Sequence, residues 1–120
     1  MSENIIKSKS FSFALRVVKL YQFLNQDKKE YVLSKQLLRS GTSIGAMVRE
    51  SEQAESKLDF IHKLAIAQKE ANESDYWLEL LYKSDYLNVT QFQSLKSDII
   101  EINKILASII ITTKQKIGKK

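Results

Sequence analysis

Proline and cysteine are both missing from the 120 residues, and glycine occurs three times, at Gly41, Gly45 and Gly118. A many-stranded sheet fold turns every ten residues or so and draws on glycine and proline to do it, so an all-β architecture is excluded. The absence of cysteine removes disulfides, thiolate zinc sites and any cysteine nucleophile. No stretch approaches the ~20 apolar residues of a membrane span. The opening MSENIIKSKSFS has no apolar run of signal-peptide length. A cytoplasmic protein that does not enter membranes is expected. Length and a hydrophobic content of 43% fit one core, not a disordered chain.

Charge is unevenly spread. The formal net charge is +5, but Lys114, Lys116, Lys119 and Lys120 lie in the last seven residues with no acid among them. The first 113 residues carry fifteen basic and fourteen acidic side chains, a net of +1. The basic character belongs to a tail, which attracts phosphates but reads no sequence. The spacing therefore predicts a flexible N-terminus over 1–9, a helical domain over 10–113 and a basic tail over 114–120.

Four helical patterns fill that domain. The first runs from about Ser10 to Gln26 on Ala14, Val17, Val18, Tyr21 and Leu24, widened by Phe13, Leu20 and Phe23. The second runs from Tyr31–Ser34 to Gln53 on Leu37, Leu38, Ile44 and Val48. The third, Ser56 to Tyr86, carries a seam of Phe60, Leu64, Ala67, Ala71, Ser74, Leu78 and Leu81, behind the box-like Ser56-Lys57-Leu58-Asp59. The fourth opens on Thr90-Gln91-Phe92-Gln93, a T-x-x-Q capping box, and continues through Leu95, Ile99, Ile102, Leu106 and Ile109. Short polar breaks between four such helices predict an all-α, antiparallel up-down-up-down four-helix bundle. Ile100, Ile105, Ile110 and Ile111 lie off the fourth seam, and Ile61, Ile66, Trp77 and Leu80 off the third. One small domain cannot bury all of these, so a homo-oligomer is expected.

Two segments invite a site. Gly41 and Gly45 lie four apart inside the second helix, where each costs about 1 kcal/mol against alanine. Close helix packing repays this; a phosphate loop does not fit, because no Gly-Lys-Ser/Thr follows. Glu70 and Glu73 sit one turn apart on the third helix. A di-iron bundle needs two Glu-x-x-His pairs, and the chain has one histidine, His62, so neither metal nor cofactor is expected. The alternative is an ion pair of Arg39 with Glu70 or Glu73; were it partly buried, breaking it would cost roughly 3–5 kcal/mol. Serines such as Ser40, Ser43 and Ser74 have no elbow or basic partner for hydrolysis, so no enzyme is expected. Tyr76, Trp77 and Tyr82 read as core or interface aromatics in preference to a platform for bases.

Three segments also carry a family resemblance: Ser10-Phe11-Ser12-Phe13-Ala14-Leu15, the run Gln36-Leu37-Leu38-Arg39-Ser40-Gly41-Thr42-Ser43-Ile44-Gly45-Ala46, and the run from Lys69-Glu70-Ala71-Asn72-Glu73 to Leu81. In this order they resemble the bacterial proteins encoded in intervening sequences of 23S ribosomal RNA genes, which older labels call ribosomal proteins. The resemblance spans about Ser10 to Thr113. It implies a four-helix bundle, assembly as a homopentamer and no known enzymatic activity. It also implies kinship with a basic accessory protein of diversity-generating retroelements that works with nucleic acid. The resulting expectation is a non-enzymatic oligomeric scaffold that binds structured RNA or DNA, with Arg16, Lys19, Arg39 and Arg49 as pooled candidate contacts. The alternative is an interaction module that binds a partner protein and no nucleic acid.

Overall fold

The computed structural model describes residues 2–118, with side chains from residue 5 onward. Four helices follow one another: α1 Ser2–Gln26, α2 Leu33–Ser51, α3 Lys57–Lys83 and α4 Val89–Gly118. Helix α1 packs on α2 and α4, and α3 packs on the same two. Contacts run in opposite senses along each neighbouring pair. Val17 and Ser10 meet Gly41 and Gly45 on α2, Ser40 meets Ser74, and Asp75 and Asn72 meet Lys96 and Asn103. The result is an antiparallel four-helix bundle, 55 × 22 × 20 Å.

The seams of α3 and α4 lie inside. Leu64, Ala67, Ala71, Ser74, Leu78 and Leu81 are buried on α3, and Leu95, Ile99, Ile102, Leu106, Ile109 and Ile110 on α4. The seam of α1 differs from the expected one. Its buried residues are Ile6, Ser10, Phe13, Val17, Leu20 and Leu24, alternating steps of four and three, while Val18 is 36% exposed. This seam also corrects the boundary expected at Ser10. The helix begins at Ser2, and Ile6 is 2% exposed, so residues 2–9 belong to the bundle. Likewise α4 continues through Lys114 and Lys116 to Gly118, so the expected tail is helical that far. Lys119 and Lys120 lie outside the described residues.

Helix ends show which polar side chains supply the caps. Ser56 accepts from the Asp59 N–H (3.0 Å), and Asp59 in turn accepts from Glu55, one residue outside a standard box. The α4 box is displaced by two residues from Thr90–Gln93. Asn88 Oδ1 accepts from the Gln91 N–H (2.8 Å), and Gln91 Oε1 accepts from the Asn88 N–H (2.9 Å). Asn88 is preferred because α3 closes first. Asp85 takes a left-handed φ of 68°, the Tyr86 N–H reaches the Leu81 carbonyl, and Leu87 is drawn into the core, leaving Asn88 at the start of the next helix.

Candidate functional site

The α1–α2 contact is set by small residues. A Cβ on Gly41 would lie 2.9 and 3.0 Å from the γ-methyls of Val17, whereas one on Gly45 would lie 3.4 Å from the Ser10 carbonyl oxygen. Gly41 is thus the tighter of the two positions, filled by the Val17 side chain, whereas Gly45 faces the Ser10 backbone and has room for a methyl. Outside this line the helices part into a furrow of about 280 Å³ lined by Lys7, Phe11, Ala14, Thr42, Gly45, Ala46 and Arg49. The Arg49 guanidinium lies 5.2 Å from the centre of the Phe11 ring. Phe11, Leu15 and Val18, spaced one and two turns apart on α1, are 49%, 49% and 36% exposed beside it.

On the opposite side, Arg39 joins α2 to α3. One guanidinium nitrogen donates to Glu73 and the other lies 3.4 Å from Glu70 Oε1. Trp77 Nε1 also donates to Glu73 (3.2 Å). The Arg39 bond, followed by the Trp77 bond, holds the Glu73 carboxyl below its ordinary range, and the same pairing raises Arg39. Half of the Arg39 side chain is exposed, so solvent screens the pair, and its worth falls from the expected range to ~1 kcal/mol or less. Among the described residues no group of three His, Asp or Glu side chains is placed to hold a metal. His62 is exposed on α3.

The four candidate cations do not converge. Arg16 bridges α1 to α4 through Asp98 and Ser94 (2.8 Å), Arg39 bridges α2 to α3, and Arg49 stacks on Phe11. Lys19 is exposed and makes no ion pair among the described residues. The aromatics expected in core or interface are likewise divided. Tyr82 stacks on Phe92 with centroids 4.5 Å apart, Trp77 is tied to Glu73, and Tyr76 is exposed against the Trp77 edge. Of the off-seam residues, Ile110 is buried, whereas Ile100 and Ile111 are 45% and 57% exposed.

Sequence reasoning passed over Glu30, which stood in a polar break. It is 7% exposed, and its carboxylate accepts from the N–H groups of Val32 (3.1 Å), Leu33 (2.9 Å) and Ser34 (2.7 Å). Burial opposes its charge, but these three donors at the start of α2 outweigh burial and lower its pKa. Its one visible signal was a carboxylate just upstream of a helix whose own first residues offer no cap.

Comparison with known proteins agrees with the fold and its residues. No curated protein matches the chain. The crystal structure of a protein with unknown function from the S23 ribosomal protein family of Bacteroides thetaiotaomicron VPI-5482 is similar, with a TM-score of 0.91 at 58% identity. The match covers 92% of this chain and 98% of that one. The family model described as 23S rRNA-intervening sequence protein matches residues 2–108, a span that includes the residues expected to precede the bundle. With the first three helices, most of α4, the glycine contact and the Arg39–Glu73 pair inside the matched span, the chain belongs to the 23S rRNA-intervening sequence protein family.

Proposed function

We propose that the protein is a non-enzymatic helical scaffold whose copies associate through the outer α1–α2 face, and whose assembly binds RNA or DNA through repeated basic surface. One observation carries the reading: Phe11, Leu15 and Val18 form a continuous, half-exposed stripe beside an apolar furrow. A stripe of this kind on a small bundle marks an association face. The resemblance noted above implies a homopentamer for this assembly.

Assembly is also the physical route from a modest charge to useful affinity. The body of one bundle is nearly neutral, and Lys7, Lys9, Arg16, Arg39, Lys63 and Lys96 are held in ion pairs. Repetition by symmetry multiplies the remaining cations on one particle, so that weak contacts add as avidity.

Light scattering on the whole protein and on Leu15→Glu tests the first half. The expected result is a multiple of 13.9 kDa that falls to 13.9 kDa in the variant, with helicity retained. Fluorescence anisotropy with a labelled RNA hairpin tests the second half. Binding at low salt that weakens steeply at moderate salt supports the reading. No binding at low salt overturns it in favour of a partner-protein module.

A further inference from the structure

The α1–α2 turn keeps a strained backbone and displays what a turn ordinarily hides. Lys29 adopts a left-handed φ of 57°, a conformation natural to glycine and costing a lysine about 1 kcal/mol. Glu30 points inward and locks the first three N–H groups around the start of α2. The residues that follow it are thrown outward: Tyr31 is 55% exposed and Val32 is 70% exposed. Asn25 braces the arrangement from α1, donating to the Tyr21 carbonyl (2.7 Å) and to the Ser34 hydroxyl (3.2 Å). The turn is therefore a fixed knuckle at one end of the bundle.

Its charge suits one class of partner. Lys28, Lys29 and Lys35 are exposed and make no ion pair among the described residues. Asp27 is the only exposed acid between residues 27 and 35, because the Glu30 charge is taken up by the α2 N–H groups. An exposed aromatic side chain on a braced turn, with three exposed lysines within four residues of it in sequence, matches an unpaired nucleotide, whose base stacks on the ring while its neighbouring phosphates meet ammonium groups. Strain retained at Lys29, where glycine would relieve it, fits a position kept for its side chain.

We infer that this knuckle binds an unpaired stretch of nucleic acid, one base stacking on Tyr31 and the adjoining phosphates meeting Lys28, Lys29 and Lys35. The inference rests on the nucleic-acid reading above and deepens it, locating the contact and choosing single strands or hairpin loops over continuous duplex.

Anisotropy on the full chain with labelled oligouridine of ~20 nucleotides and with a blunt RNA duplex tests it. Tyr31→Ala weakens oligouridine binding about ten-fold or more and leaves duplex binding nearly unchanged, whereas Tyr31→Phe retains affinity because the ring remains. Lys29→Gly separates contact from structure. It leaves the thermal midpoint unchanged or higher, yet weakens binding and reduces the salt slope by about 0.7. If the unaltered protein binds oligouridine and both Tyr31→Ala and Lys29→Gly bind it equally well, the knuckle is overturned and the broader reading stands. If the unaltered protein binds neither RNA at low salt, both fall.

Discussion

Alanine at Gly41 and alanine at Gly45 are the same chemical change one turn apart on one helix, and they should move stability in opposite directions. In either place the helix gains up to about 1 kcal/mol from replacing glycine. At Gly45 the new methyl meets the Ser10 carbonyl oxygen at 3.4 Å, an ordinary contact, so most of that gain survives. At Gly41 it would stand 2.9 and 3.0 Å from two methyls of Val17. Val17 is fully buried and β-branched, so it has no second rotamer to retreat into. Overpacking of this kind costs about 1–3 kcal/mol, which exceeds the propensity gain. Gly41→Ala should therefore lose ~1–2 kcal/mol, and the two variants should differ by about 2 kcal/mol. In thermal unfolding followed by circular dichroism at one fixed protein concentration, that is a separation of roughly 6–8 °C. Val17→Ala in the Gly41→Ala background should recover ~1 kcal/mol relative to additivity. Equal midpoints for the two alanine variants would refute the reading that the Val17 methyls leave no room for a side chain at Gly41.

The Glu30 clasp predicts an acid dependence. Its pKa is lowered in the fold, so its contribution is complete above the ordinary value of 4.5 and disappears as pH falls through the folded value. Glu30→Gln should flatten that part of a stability-against-pH profile, and Glu30→Ala should cost about 1–3 kcal/mol at neutral pH by orphaning three donors. Arg39→Ala, Glu73→Ala and their double variant should give a coupling near 0.5–1 kcal/mol that shrinks in molar salt; a coupling of several kcal/mol by denaturant unfolding would contradict the half-exposed geometry. Asn88→Ala should cost ~1 kcal/mol in thermal unfolding and Thr90→Ala less than about 0.5 kcal/mol, the reverse of what the T-x-x-Q pattern suggests.

The parts of this molecule that sequence discloses are those governed by apolar spacing over several turns. The α3 and α4 seams are of this kind, since one face of a long helix must bury Leu and Ile whatever its neighbours are. Helix α1 was harder to place because its seam passes through a polar residue. Ser10 sits there because the Gly45 backbone comes close, and its hydroxyl turns back to the Lys7 carbonyl (3.3 Å). A serine chosen for size interrupts a hydrophobic pattern without interrupting the helix, which hid the turns before it. Caps fail for a related reason: Asn88 and Thr90 are both good starting residues, and the αL turn at Asp85 decides between them. The pairing of Arg39 with Glu73 follows from residue chemistry, whereas its exposure depends on how far α2 and α3 stand apart. The knuckle was least visible, because Lys28-Lys29-Glu30 reads as an ordinary solvated break until Glu30 is seen to turn inward.

Sedimentation velocity of the full chain with labelled oligouridine, run at low and at moderate salt, tests assembly and nucleic-acid binding in one measurement. The expected result is a protein boundary at a multiple of 13.9 kDa, with the RNA co-sedimenting at low salt and released at moderate salt. A 13.9 kDa species with the RNA sedimenting alone under both conditions would contradict it.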